Sequence, residues 1–301
     1  MAPLFAPLFD AIRRFSDVSG LVPFARNKSS KRNELNQQLT KIDDDSACLV
    51  VTMTIKFKGN VSSPLQIANS MYCKSFLFTL ALLTCMTKAS AEDRLSPNVE
   101  NYVKKRFSEG AEIPEDRQKE LLKISRYIAS CQAEGKPAKL LFVCTHNSRR
   151  SHLAQLWAKI GATHFGLDGM ESFSGGTETT SMNRRTVAAL QRAGLEITTA
   201  VEDATNPKYS VVFGKAASPQ ICFSKTLMQP PNPTEKFAAI MTCSSADASC
   251  PIVKGCELRL SLPYEDPKVA DDTPKEATAY DDKCKEIARE MVFVMSRVAE
   301  R

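Results

Sequence analysis

The stretch Leu140-Leu-Phe-Val-Cys-Thr-His-Asn-Ser-Arg-Arg-Ser-His-Leu-Ala-Gln155 constrains this chain more than any other feature in it. An apolar run ends in Cys144, five residues intervene, and Arg150-Ser151 open a segment with helical patterning. Strand, loop and helix follow in that order. In such a turn the backbone N–H groups converge at a helix N-terminus, so Thr145, His146, Asn147, Ser148, Arg149, Arg150 and Ser151 form a cradle for a tetrahedral oxyanion. Arg150 adds a two-pronged clamp that a lysine could not supply. The same positive field acts on the Cys144 sulfur, whose thiolate is the attacking species, and Ser151 is placed to donate a hydrogen bond to it. The competing reading is a structural cysteine ending a core strand beside two solvated arginines. A Cys-x(5)-Arg spacing alone would not decide between them. The apolar strand before it, the small polar residues within it and the helix after it favour the oxyanion loop.

Around this loop the elements alternate. Strands are expected at Lys139–Cys144, Ser172–Phe173, Phe237–Cys243 and Glu257–Leu262, with helices from about Ser148 to Ile160, at Asn183–Ala193 and at Pro274–Val298. That alternation implies an α/β fold, a central parallel sheet with helices on both faces. Two β-rich runs between Tyr209 and Lys225 read as a hairpin-like insertion. Upstream, Pro114, Glu115 and Asp116 start a helix that places Leu121, Ile124, Tyr127 and Ile128 on one face. The organisation expected is therefore a helical segment over 92–138 and an α/β domain over 139–301, separated by Gly135-Lys-Pro137.

Residues 1–70 show no sustained period and read as unstructured or as an over-extended gene start. Met71-Tyr-Cys-Lys, the apolar run Ser75–Cys85 and Ala89-Ser-Ala91 have the order of a signal peptide. That run is too short for a membrane span, which needs ~20 apolar residues. A start at Met71 implies export, with a mature chain from Glu92. Otherwise the segment is a buried or interfacial helix of a cytoplasmic protein.

Charge excludes a nucleic-acid role. Of 40 Lys and Arg and 34 Asp and Glu, residues 1–91 hold 11 and 6, so residues 92–301 hold 29 and 28. The part expected to fold has no basic excess and no nucleic-acid-binding motif. Ten cysteines with no Cys-x-x-Cys pair, and histidines only at 146, 152 and 164, give no metal-ligand set. No cofactor is implied.

Val-Cys-Thr-His-Asn-Ser-Arg-Arg-Ser resembles the phosphate-binding loop of low-molecular-weight tyrosine phosphatases and thioredoxin-coupled arsenate reductases, and the similarity runs from about Lys139 to the C-terminus. Ser174-Gly-Gly-Thr-Glu178 resembles the family's Ser-Ala-Gly-Thr-Glu. Tyr264-Glu-Asp-Pro267 resembles its acidic loop, which implies that Asp266 is the general acid. The chain departs from the family at His146, where many members have Gly, and at Arg149, where many have a second Cys.

The stretch Phe237 to Ile252 is similar to the redox segment of arsenate reductases, in which an apolar strand delivers one Cys and a mobile loop carries a second after six intervening residues. This resemblance implies an arsenate reductase. Cys144 binds As(V), Cys243 attacks Cys144, and Cys250 completes a Cys243–Cys250 disulfide for a thioredoxin-like reductant. A phosphate-ester hydrolase using Cys144, Arg150 and Asp266 is the alternative. Lys268 stands where tyrosine phosphatases usually present a Tyr, whereas export would separate a reductase from cytoplasmic thioredoxin. A non-catalytic oxyanion-binding module is a third reading. Cys222, Cys256 and Cys284 are expected in the core.

Overall fold

The computed structural model describes residues 94–215, 218–250 and 252–301. The expectations for 1–70 and for a signal peptide at 71–91 lie outside the described residues. Among the described residues no helix is long and apolar enough to cross a membrane.

Strand β1 (Ala138–Cys144) is the axis of the fold. Every one of its residues except Lys139 is buried, a pattern that only a strand covered on both faces can adopt. Side chains alternate across a strand, and here the alternation divides the core. Leu140 and Phe142 join the large cluster on one face, and Leu141 and Val143 a smaller one on the other. Strand β2 (Met170–Gly176) and strand β6 (Phe237–Met241) flank β1, and β7 (Cys256–Ser261) lies outside β6. All three pairings are parallel, in the order β2-β1-β6-β7.

The chain runs from β1 through helix α3 (Arg150–Phe165) to β2 on one side and reaches β6 on the other. Strand order therefore reverses at β1. In open parallel sheets the crevice at the carboxyl ends of the strands beside such a reversal is where ligands bind. Cys144 ends β1 there, and Cys243 follows the end of β6 by two residues.

The large-cluster face is covered by α3 and by the C-terminal helix α6 (Glu276–Ala299), which pack against each other. Helix α4 (Arg184–Arg192) also packs on α6. Two further helices, α1 (Pro97–Ser108) and α2 (Glu115–Ala133), share this core through Val99, Val103, Leu121, Ile124 and Ile128. Tyr102 of α1 stacks on Trp157 of α3 at 4.9 Å, and the indole N–H donates to Cys284 Sγ at 3.3 Å. A six-residue helix, α5 (Ser244–Ser249), lies on the opposite face.

The expected insertion is an antiparallel sheet with one strand more than anticipated: β3 (Glu196–Val201), β4 (Lys208–Val212) and β5 (Gln220–Cys222), paired in that order. In β3 only Ile197 is buried, so the strand lacks the alternation by which a half-buried strand is recognised. The segment expected as a mobile loop after Cys243 is helix α5.

An ionic contact ties the N-terminal helices to the far side of the domain. Arg117 on α2 donates to both carboxylate oxygens of Glu290 on α6, at 2.8 and 3.0 Å, and lies over the Tyr264 ring at 4.6 Å. The Tyr264 hydroxyl donates to the same carboxylate at 2.6 Å. Glu290 is buried, so losing its cation is costly. Arg117→Met should lower unfolding free energy by about 3 kcal/mol, read from urea denaturation. Adding Glu290→Gln should recover part of that loss. A single variant as stable as the wild type would show that Glu290 does not depend on Arg117.

Candidate active site

The loop from Cys144 to Arg150 is fixed by four of its carbonyl oxygens, which bond outward. Cys144 O accepts from Thr177 N–H, Thr145 O from Glu178 N–H, and Ser148 O from Asn183 N–H. His146 O accepts from the hydroxyls of Ser224 and Thr180. The backbone N–H groups of Thr145 to Arg149 bond to no other group among the described residues. Buried N–H groups rarely go unpaired. A run of them at the start of α3 is an anion nest.

Asn147 makes the turn possible. It is fully buried with φ of 44°, a left-handed conformation that Asn tolerates better than most residues. Its side-chain oxygen accepts from Lys225 N–H at 3.0 Å, which fixes the amide orientation, and its Nδ2 donates to Ser151 Oγ at 2.9 Å. Having accepted that bond, the Ser151 hydroxyl has its own hydrogen available for Cys144 Sγ, 3.1 Å away. The role expected of Ser151 thus has the geometry it needs. His146 is not in the left-handed region, so no glycine is required there. Gly176, by contrast, has no room for a side chain. A Cβ would lie 2.5 to 2.8 Å from Glu178 O, Thr145 O and Asn147 N, all of them backbone atoms.

The Arg150 guanidinium is engaged by the acidic loop. Its two terminal nitrogens donate to Tyr264 O at 2.9 Å and to Asp266 Oδ2 at 2.7 Å, so the arginine and the acidic loop are joined across the site mouth. Arg149, adjacent in sequence, donates to the Tyr280 hydroxyl at 2.9 Å, and that hydroxyl donates to Asp271 at 2.8 Å. Burial, with Asp271 nearby, pushes Tyr280 up to about 12, so it remains a neutral phenol that can serve both partners.

Cys243 belongs to the same constellation. Its Sγ lies 3.4 Å from Thr145 Oγ1, and it caps α5 by accepting from Ala246 N–H at 3.3 Å. Cys144 and Cys243 pack in one buried cluster, with Cys250 against it. Cys250 follows the other end of α5. At ~1.5 Å rise per residue the two helix ends are ~10 Å apart, whereas a disulfide needs Cα atoms within ~7 Å. Cys243 and Cys250 can bond only if α5 unwinds. As expected, Cys222 and Cys284 are buried, whereas Cys256 is only partly so. Among the described residues no group of three or more His, Cys, Asp or Glu is placed to hold a metal ion.

Two residues behind the loop escaped the sequence reading. Lys225 is buried, makes no ion pair among the described residues, and is lowered to about 8 by burial. Its backbone bonds to Asn147 and Gly176 make it part of the loop's support. His152 is fully buried on α3 beside Ser174, its Nδ1 at 3.3 Å from the hydroxyl. Lys225 comes close to the loop only through folding, and His152, although it follows Ser151 directly, has no spacing that would mark it as buried against Ser174.

Burial, reinforced by the Lys225 charge, lowers His152 from 6.5 to about 3. The unfolded chain therefore binds a proton that the folded one does not. The contribution to stability is full above pH ~6.5 and is lost as pH falls toward ~3, by up to ~1.4 kcal/mol per unit. Urea midpoints of the wild type between pH 7 and pH 5 should fall more steeply than those of His152→Gln. Parallel curves would show that His152 titrates normally in the fold.

Residues 139–210 match the family model described as low molecular weight phosphotyrosine protein phosphatase. An arsenate reductase of Bacillus licheniformis is 28% identical over 141 residues, which are 47% of this chain and 82% of that protein. Among solved structures, a low molecular weight phosphotyrosine phosphatase of Vibrio cholerae is 15% identical, with a TM-score of 0.36, over 53% of this chain and 95% of that one. A YwlE mutant of Bacillus subtilis is 13% identical, with a TM-score of 0.37, over 54% of this chain and 98% of that one. The family-model match includes Cys144 through Ser151, so it is over the oxyanion loop and the elements around it that this chain is similar to the low molecular weight phosphotyrosine protein phosphatases.

Proposed function

We propose that the protein is an arsenate reductase that works through a Cys144, Cys243 and Cys250 relay. The observation that carries this reading is the position of Cys243, whose sulfur lies 3.4 Å from the hydroxyl of Thr145, the residue after the nucleophile. It caps a helix with Cys250 beyond its far end. Phosphate-ester hydrolysis has no use for either thiol. The 28% identity to an arsenate reductase also supports the reading.

The chemistry follows from the groups present. Arsenate enters the nest and competes with Asp266 for Arg150. Cys144 thiolate attacks arsenic, and the freed Asp266 carboxyl protonates the departing oxygen, which leaves as water. Cys243 thiolate then attacks the Cys144 sulfur. A sulfur–sulfur bond forms, the sulfur–arsenic bond breaks, and its electron pair stays on arsenic, which leaves as As(III). Cys250 thiolate attacks Cys243, releasing Cys144 thiolate and leaving the Cys243–Cys250 disulfide. Two thiols have been oxidised and arsenic has gained two electrons. A thioredoxin-like dithiol returns the enzyme to its starting state.

A second reading keeps only the first half of this machinery. Cys144, Arg150 and Asp266 suffice for hydrolysis of a phosphate monoester through a cysteinyl-phosphate, with Asp266 as the acid. The family match at residues 139–210 favours it equally.

One set of variants separates the two. Cys144→Ser should abolish any turnover while retaining oxyanion binding, and unchanged activity would remove the site assignment. Cys250→Ser should trap a Cys144–Cys243 disulfide after one arsenate turnover, visible by peptide mass mapping, and Cys243→Ser should prevent it. Only free thiols after arsenate treatment, combined with aryl phosphate hydrolysis at full rate in both variants, would establish the phosphatase instead.

A further inference from the structure

Helix α5 has six residues, and a helix that short is not stable on its own. It must be held by its surroundings, and the hold is different at its two ends. At the N-terminal end the cap is the Cys243 sulfur, which accepts from Ala246 N–H at 3.3 Å. At the C-terminal end the hold comes from the neighbouring strand β7. Arg259 Nε donates to Cys250 O at 2.9 Å, and its Nη2 donates to Asp247 O at 2.8 Å and to Asp247 Oδ1 at 2.6 Å. Ser261 Oγ, two residues along the same face of the strand, donates to Asp247 Oδ2 at 2.7 Å. One guanidinium therefore ties two carbonyls of the last turn and an acidic side chain to the sheet. Cations at helix C-termini are favourable, but a fork bonded to two carbonyls and a carboxylate is more specific than that. Ser261 and Arg259 together hold the Asp247 carboxyl below its usual range, so the carboxylate partner is charged near neutrality.

We infer that Arg259, with Asp247 and Ser261, is a latch on α5 that governs when Cys250 can reach Cys243. The two caps make the order of events explicit. When Cys243 bonds to another sulfur, it no longer serves as a thiolate or thiol acceptor at the N-terminal cap, and the helix loses that end. What then keeps Cys250 ~10 Å away is the Arg259 grip. Because Arg259 holds the Cys250 carbonyl itself, unwinding must break that contact before Cys250 can move. Arg259 is thus a positioning residue acting on the thiols through the helix. Its use in catalysis rests on the relay reading, but the latch itself does not.

The test uses the full chain and two measurements that need no substrate. Hydrogen exchange followed by mass spectrometry reports winding of 244–250. Diamide, a two-electron oxidant that accepts two electrons and two protons from a pair of thiols, reports how readily Cys243 and Cys250 meet. Arg259→Gln should raise both exchange of the α5 amides and the rate of Cys243–Cys250 bond formation by about tenfold, the effect of losing charge-assisted hydrogen bonds at a partly exposed site. Asp247→Asn should act in the same direction, and Ser261→Ala less strongly. Peptides from β1 should exchange as in the wild type. Wild-type exchange and oxidation rates in Arg259→Gln and Asp247→Asn would overturn the latch. If Arg259→Gln loses protection across the sheet, Ser261→Ala, which removes one bond, decides: unchanged α5 exchange and oxidation overturn the proposal. A wild type that forms the Cys243–Cys250 bond with diamide but never with arsenate would sink the relay reading and leave the latch standing.

Discussion

The unpaired backbone N–H groups between Cys144 and Arg150 are the constraint on which the rest of this architecture depends. A loop that turns its donors inward must bond its carbonyls elsewhere, and each of the elements around it supplies something. The segment after β2 gives the N–H groups of Thr177 and Glu178, and the hydroxyl of Thr180. The residue before α4 gives the N–H of Asn183. The antiparallel insertion returns to give the Ser224 hydroxyl and the Lys225 N–H. Gly176 is required because β2 and the loop approach so closely that a single carbon would strike backbone on both sides. The burial of β1 on both faces holds all of this in place, since a strand locked into two hydrophobic clusters cannot shift to relieve strain in the loop.

The same logic extends outward to the N-terminal helices. Arg117 on α2 neutralises Glu290, Glu290 accepts from the Tyr264 hydroxyl, and the Tyr264 carbonyl accepts from Arg150. Helices that precede the α/β elements in sequence are therefore connected to the mouth of the oxyanion loop through a chain of hydrogen bonds. Burial raises Tyr264 well above its ordinary value, so the phenol stays protonated and the chain intact across the neutral range. Each of the two arginines that follow the nest is bonded before any ligand arrives, Arg150 to the acidic loop and Arg149 to Tyr280. An anion that takes Arg150 must offer more than Asp266 does, which biases the loop toward multiply charged oxyanions with several acceptor oxygens.

Much of this was legible in the sequence because it is local. The strand, the loop and the start of α3 are contiguous from Leu140 to Gln155, and their roles depend on spacing and residue type rather than on distant contacts. The parallel sheet was legible for a similar reason, since strands buried on both faces leave continuous apolar runs. What the sequence did not reveal is what depends on the fold as a whole. Strand β3 exposes five of its six residues, so nothing in its pattern separates it from a loop. Helix α5, Ser-Ser-Ala-Asp-Ala-Ser, has no apolar stripe, and it is wound because Cys243 caps one end and Arg259 grips the other. Lys225 carries no motif, and only tertiary contact brings it behind the loop, just as only the fold buries His152 beside Ser174. The pairing of Arg150 with Asp266 joins residues 116 positions apart.

Arg149 shows how far one side chain constrains the chemistry available. A thiol at that position would offer a partner for Cys144 within the loop itself. The guanidinium is instead bonded to Tyr280 and set 3.9 Å from both Asp266 and Asp271, a position that a short cysteine side chain could not fill. Any thiol that meets Cys144 must then come from outside the loop. At the end of β6 the sheet brings a thiol against the loop, through the contact of Cys243 with Thr145. Because β6 pairs directly with β1, in register from Leu140 with Ala238 to Val143 with Met241, the position of Cys243 is set by the centre of the parallel sheet. Cys250 has no such anchor. It follows a short helix held by Arg259, so the sheet sets Cys243 whereas Cys250 could reach it only if that helix opened.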